Sequence, residues 1–189
     1  MAVAAYLVGT FPSAHLVAYW TGHDPEAEGS GNPGASNVLR IAGKRAGAIV
    51  FAVDILKGLL PVLVGLAVSG RPLAAVGWIA ATVGHIFPAY RHFKGGKGAA
   101  TAGGGVFGMF PVIGFVLLVT FFIVARVGKK ASVASLVVAV ALGVLVAVTD
   151  RPMWEVVVTF GMIALIIARH TSNIVRLISR KEHSLNRTG

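Results

Sequence analysis

Three short stretches carry most of the chemistry this sequence can offer. The first runs Ser30-Gly31-Asn32-Pro33-Gly34-Ala35-Ser36-Asn37-Val38-Leu39-Arg40, with two asparagines, two serines and an arginine set among glycines. Glycines leave backbone N–H groups exposed, and such amides in a turn form a concavity suited to an anion or a developing oxyanion. Gly29–Gly34 formally matches the dinucleotide pattern G-x-G-x-x-G. That pattern needs a strand before it and a helix after it. Here Asp24, Glu26 and Glu28 precede it and a proline sits inside it, so it is rejected. The glycines alone read as an Asn-Pro-Gly turn; the density of polar side chains around them favours an anion site.

The second stretch is Lys94-Gly95-Gly96-Lys97-Gly98, followed by Thr101. It fails the Walker pattern, because Arg91 stands at the first glycine position and Gly98 where Ser or Thr is required. Its physical content is still that of a phosphate site: glycines admit phosphate oxygens to the backbone and two lysines supply charge. A basic stop at a membrane surface would explain the lysines but not the interleaved glycines. The third stretch is Arg169-His170-Thr171-Ser172-Asn173-Ile174-Val175-Arg176. On a helical continuation His170, Asn173 and Arg176 share a face, which suits catalysis or phosphate contact. His15 and His85 lie in apolar runs and read as packing residues. Asp54 and Lys57, three apart, read as a mutually neutralising pair inside a bundle.

No pair of carboxylates is placed among the basic loops apart from Asp24–Glu28, and neither H-E-x-x-H nor H-x-x-x-x-D occurs. Cysteine is absent, which excludes disulfides, thiol chemistry and thiolate-held metals. No metal and no cofactor is expected. Without a dedicated carboxylate base, the reaction that fits has a good leaving group.

These stretches must be positioned by membrane helices. Hydrophobic residues make up 56% of the 189 and charged ones 13%, with a mean hydropathy of +0.79. A soluble domain carries roughly 25% charged residues. Apolar runs cover 2–21, 46–68, 73–90, 99–125, 131–148 and 153–168. No cleavable signal peptide is evident, since the first run has no basic residues before it. A net charge of +10 with no soluble basic domain points to anionic lipid or substrate and away from nucleic acid. Basic residues concentrate in four places: Arg40, Lys44 and Arg45; Arg91, Lys94 and Lys97; Arg126, Lys129 and Lys130; and Arg169, Arg176, Arg180, Lys181 and Arg187. The positive-inside rule puts all four on the cytoplasmic side. One span over 99–125 violates it. A break near Gly108-Met109-Phe110-Pro111, giving two short helices, restores it. The expected fold is therefore all-α: a single domain over 1–189, a polytopic transmembrane bundle of about seven spans. The fourth and fifth are short, and the N-terminus lies outside.

At its three stretches the sequence resembles the acyl-phosphate-dependent glycerol-3-phosphate acyltransferases, the PlsY family of bacterial membrane enzymes. The matching segments are SGNPGASNVLR (30–40), GHIFPAYRHFKGGKGAAT (84–101) and ARHTSNIVRL (168–177), with weaker similarity at DILKG (54–58) and Ala131-Ser132-Val133. Their order and spacing extend the resemblance over nearly the whole chain. Thr171 and Ser172 depart from relatives that carry His and Asp there. The resemblance implies a seven-helix enzyme of the bacterial cytoplasmic membrane with its active site at the cytoplasmic face. It implies transfer of a fatty acyl group from acyl-phosphate to the 1-hydroxyl of glycerol 3-phosphate, giving lysophosphatidic acid and phosphate, with no metal or cofactor. By position it implies catalytic roles for Ser30, Asn37, Lys94, Ser132 and His170. Substrate binding falls to Asn32, Arg40, Gly95, Gly96, Lys97, Gly98 and Asn173.

On this reading Lys94, Lys97, Arg40 and the glycine amides hold two phosphates, Asn37 and Ser132 polarise the acyl carbonyl, and His170 and Asn173 orient the acceptor. Direct attack assisted by a substrate phosphate is preferred to an acyl-enzyme, since no Ser-His-Asp set is evident. The partners are then the two phosphate substrates and the lipid bilayer, and a monomer is expected. The alternative is a membrane transporter of a small organophosphate; against it, no internal repeat is found and the polar stretches crowd one face.

Overall fold

The computed structural model describes residues 1–185, so Arg187 lies outside it. Among the described residues all regular elements are helical: α1 (Ala2–Gly9), α2 (Ser13–Trp20), α3 (Ala35–Ala42), α4 (Lys44–Ser69), α5 (Arg71–Ile86), α6 (Ala99–Met109), α7 (Pro111–Gly128), α8 (Ala131–Ala147), α9 (Met153–Arg169) and α10 (Thr171–Ile178), with a 3₁₀ turn at Ala89–Arg91.

The break expected near Gly108–Pro111 falls at Phe110. Only one side of it is short. α6 has 11 residues, about 16 Å of helix, while α7 has 18 and is long enough to cross. Pro111 explains the difference: proline at the first helical position starts α7 without losing a hydrogen bond, and nothing interrupts the apolar run after it. The first run, read as one segment, is two 8-residue helices hinged at Thr10–Pro12. α9 and α10 are bent by 56° at His170. Four segments are long and apolar enough to span a membrane, or five if that bent pair counts as one. α3 and α10 are short helices not resolved by the hydropathy pattern.

In lipid, helices associate through close packing, and small residues permit it. α1 meets α5 at Gly9 against the Ala81 carbonyl and at Gly84 against the Tyr6 carbonyl. α4 meets α6 at Gly58 against the Thr101 carbonyl and at Gly104 against the Ile55 carbonyl. A Cβ at any of the four would overlap that backbone. The largest buried cluster, including Val62, Trp78, Met109, Phe110, Leu117, Leu142 and Ile166, lies among α4 to α9.

At the far end from the three polar stretches, Arg71 grips the buried Glu155 through two nitrogens and donates from Nη1 to the Met109 carbonyl at 3.0 Å. Arg71 and Arg151 also cover the Phe110 ring at 5.4 and 5.2 Å. This clamp satisfies a carbonyl that the α6–α7 break leaves unpaired. Glu155→Gln is expected to cost about 2 kcal/mol, since a charge-assisted bond is lost and Arg71 is partly hydrated. A lower unfolding temperature in detergent, with unchanged substrate KM, is the result that checks it.

Candidate active site

Gly34 caps α3, and the turn before it uses Gly29 and Gly31 at φ +62° and +69°. Asn37 ties that turn down. Its Oδ1 accepts from the Ser30 N–H at 2.8 Å and from Arg40 Nη1 at 3.1 Å, while its Nδ2 donates to the Pro25 and Glu28 carbonyls at 2.9 and 3.0 Å. Both amide hydrogens are therefore committed to the loop. The geometry makes Asn37 a holder of Ser30 and Arg40 and leaves it no free donor for an acyl carbonyl, a revision of the role read from sequence.

The glycine loop also differs from its sequence reading. The Gly95 N–H donates to the Ile86 carbonyl at 3.1 Å and the Gly96 N–H to the His85 carbonyl at 3.2 Å. These two amides finish the end of α5 and are not available to an anion. Gly98, at φ +81°, caps α6, and the first N–H groups of that helix have no intrahelical partner. Lys97 sits beside them and donates from Nζ to Asn173 Oδ1. Burial, together with the Arg176, Arg169 and Arg40 cations and against the pull of Glu182, brings Lys97 down to about 8. Lys94 is exposed.

His170 stands at the bend between α9 and α10, 3% exposed. Its Nδ1 lies 2.8 Å from the Ile166 carbonyl. A carbonyl only accepts, so Nδ1 carries the proton and Nε2 of the neutral ring is an acceptor. Ser132 Oγ donates to Glu182 Oε1 at 3.0 Å, and Asn173 Nδ2 donates to the same oxygen at 2.7 Å. Arg176 Nε donates to Glu182 Oε2 at 3.0 Å. Burial opposes the Glu182 charge, but these three donors hold its carboxyl below the usual range. The 181–185 segment thus crosses the site, further anchored by Arg40 Nε to the Ser184 carbonyl at 2.9 Å and the Leu185 N–H to the Lys129 carbonyl at 2.7 Å.

Two cavities meet here. One is a groove whose apolar wall includes Phe51, Ile55, Phe107, Leu118, Phe121 and Val138, and whose polar end holds Asn37, Arg40, Gly98, Ser132, His170 and Asn173. The other is a basic hollow lined by Lys94, Gly95, Arg169, Ser172 and Arg176, with Glu26 at its edge. Ser30, Asn32 and Lys97 line both. Apart from Gly96, packed against His85, every residue given a catalytic or substrate-binding role in the sequence borders one cavity or the other. Glu182 and Arg169 have no site role in the sequence reading, and Arg176 enters it only as sharing a helix face with His170 and Asn173. Glu182 is one carboxylate in a basic tail, and no local pattern marks it.

The fold and these cavities define a polytopic helical membrane protein whose site joins an apolar groove to a basic hollow. The family model described as "Glycerol-3-phosphate acyltransferase" matches residues 1–180, and the chain belongs to that family. A glycerol-3-phosphate acyltransferase of Thioalkalivibrio sulfidiphilus is 42% identical over 185 residues, covering 96% of this chain and 91% of the relative. One of Francisella philomiragia is 41% identical over 188 residues, covering 98% and 91%. Two crystal structures of PlsY (YgiH), an integral membrane glycerol 3-phosphate acyltransferase, share the fold. The glycerol 3-phosphate form gives a TM-score of 0.92 and the lysophosphatidic acid form 0.89. Each is 34% identical and covers 97% of this chain and 92% of the other.

Proposed function

We propose that this protein transfers a fatty acyl group from acyl-phosphate to the 1-hydroxyl of glycerol 3-phosphate. The observation that carries this is the junction at Ser30, Asn32 and Lys97, where an apolar groove opens onto a basic hollow. The donor's chain lies in the groove and its phosphate near Arg40 and Lys97. Glycerol 3-phosphate enters through the hollow, its phosphate held by Lys97, Arg169 and Arg176. The hydroxyl oxygen attacks the acyl carbon, the bond from that carbon to the phosphate oxygen breaks, and phosphate leaves with the electron pair. The hydroxyl proton passes to a substrate phosphate oxygen, with His170 Nε2 orienting the hydroxyl. Ser30, whose hydroxyl lies beside the junction, serves the developing oxyanion; Ser132, its one hydrogen given to Glu182 Oε1, holds the 181–185 segment over the site. Lys94, being exposed, guides anions inward and is not part of the reacting centre.

The four basic clusters support a cytoplasmic site, an outside N-terminus and seven crossings, with α6 and α8 spanning despite their length. Purified protein in detergent, given acyl-phosphate and labelled glycerol 3-phosphate, should yield lysophosphatidic acid. Product from acyl-CoA but none from acyl-phosphate would sink the donor assignment. His170→Ala should raise the glycerol 3-phosphate KM; a collapse of kcat at every pH would instead make His170 the base.

Gly103 lines the groove on α6, and a Cβ there would meet nothing within 4 Å. Gly103→Leu is expected to fill the groove and lower kcat/KM for a palmitoyl donor about tenfold or more. A butyryl donor should be spared, and the glycerol 3-phosphate KM unchanged. Equal losses for both donors would place the chain elsewhere.

A further inference from the structure

We infer that Asp54 and His85 are a positioning pair that holds the Gly95–Gly98 loop, and with it Lys97, against the end of α5. Five polar side chains from four elements are buried together beneath that loop: Ser13, Asp54, Lys57, His85 and Thr101, none more than 8% exposed. Ser13 Oγ donates to Asp54 Oδ1 at 2.6 Å and Lys57 Nζ lies 2.8 Å from the same oxygen. Lys57 Nζ also donates to the Phe11 carbonyl at 3.1 Å. The Asp54–Lys57 pair is therefore already neutralised and hydrogen-bonded without a histidine.

His85 extends the cluster towards the site. Its Nδ1 is 3.6 Å from Asp54 Oδ1 and 3.1 Å from Thr101 Oγ1. The other side of the ring faces Gly96 so closely that a methyl on Gly96 would overlap Nε2. The backbone repeats the attachment, since the Gly95 and Gly96 amides bond the Ile86 and His85 carbonyls. Lys97 follows directly. Thr101 Oγ1, within hydrogen-bond distance, fixes the ring, Asp54 Oδ1 at 3.6 Å backs the same edge of it, the ring fixes Gly96, and Gly96 fixes the root of Lys97. Ionisable groups within a bilayer are costly and are retained where they act. Both Asp54 and His85 border the groove, but on this geometry they work through the loop and not on the reacting atoms.

The inference rests on the reading that this loop and Lys97 hold a substrate phosphate. The test uses purified full-length protein, the acyl-phosphate assay and a thermal midpoint for each variant. His85→Ala should raise the glycerol 3-phosphate KM about 10- to 100-fold with kcat largely kept, as a loop displaced by about an ångström would. Gly96→Ala should do the same, because its methyl takes the ring's space. The double variant should be no worse than Gly96→Ala alone. Asp54→Asn should raise KM too, and add nothing in the His85→Ala background. If Asp54→Asn fails to fold because Lys57 loses its counter-charge, the His85 and Gly96 cycle decides. A folded His85→Ala with unchanged KM, or additive losses in that cycle, overturns the inference. A parent protein that makes no lysophosphatidic acid overturns the functional reading itself.

Discussion

Lys97→Met should lower kcat/KM by about 100- to 1,000-fold, the loss typical of removing one charged donor from a dry anion site. Among the described residues no other side chain combines its features: it borders both cavities, bonds Asn173 and sits at the N-terminal end of α6. The same residue sets a pH limb. Only its ammonium form attracts phosphate, and burial with three nearby arginines has brought it down to about 8. The charged form is therefore complete below that value and lost above it. In the free enzyme kcat/KM should fall as pH rises through about 8. A bound phosphate dianion favours the ammonium, so the limb in kcat should lie at higher pH. Lys97→Arg, charged throughout, should abolish the limb even if its rate is lower. An alkaline limb that survives in Lys97→Arg would assign it to another group.

The second large effect is on the fold. Gly104→Val and Gly58→Val should each destabilise by about 3 kcal/mol or more, because the added carbons meet backbone that cannot move aside. Gly104 lies against the Ile55 carbonyl and Gly58 against the Thr101 carbonyl, so either substitution pries α6 off α4. α6 begins beside Lys97, so activity should fall with stability. Gly103→Ala is the control: one residue away, its methyl meets nothing within 4 Å, and the change should be neutral or stabilising in a helix. The readouts are the thermal midpoint and a monodisperse elution profile in detergent. A stable Gly104→Val would show the α4–α6 crossing to be looser than drawn.

The break between α6 and α7 illustrates what patterning reveals. Placing Arg126, Lys129 and Lys130 on the side of Lys94 and Lys97 required a turn in the apolar run, and Gly108–Pro111 offered the chemistry for one. Charge and proline act locally, so their consequences are visible locally. The unequal helix lengths were not, because Pro111 can either end one helix or begin the next, and packing chooses. The hinge at Thr10–Pro12 was missed for the same reason.

The three polar stretches were legible because glycine, asparagine and lysine interleave there in a way that neither a turn nor a basic stop needs. The apolar runs by themselves determined an all-helical membrane protein, and the types and order of the three stretches determined a basic, glycine-rich end and the family to which the chain belongs. What each atom does was decided by the tertiary structure. Asn37 reads as a donor to substrate until the Pro25 and Glu28 carbonyls claim both its hydrogens. Gly95 and Gly96 read as phosphate amides until α5 takes them. The His85–Asp54 pair and the Ser132–Glu182 bond enter only when residues 31 and 50 apart are folded together. A donor hydrogen serves one acceptor, and which acceptor it meets is set by the packing of whole helices, which no short stretch of sequence contains.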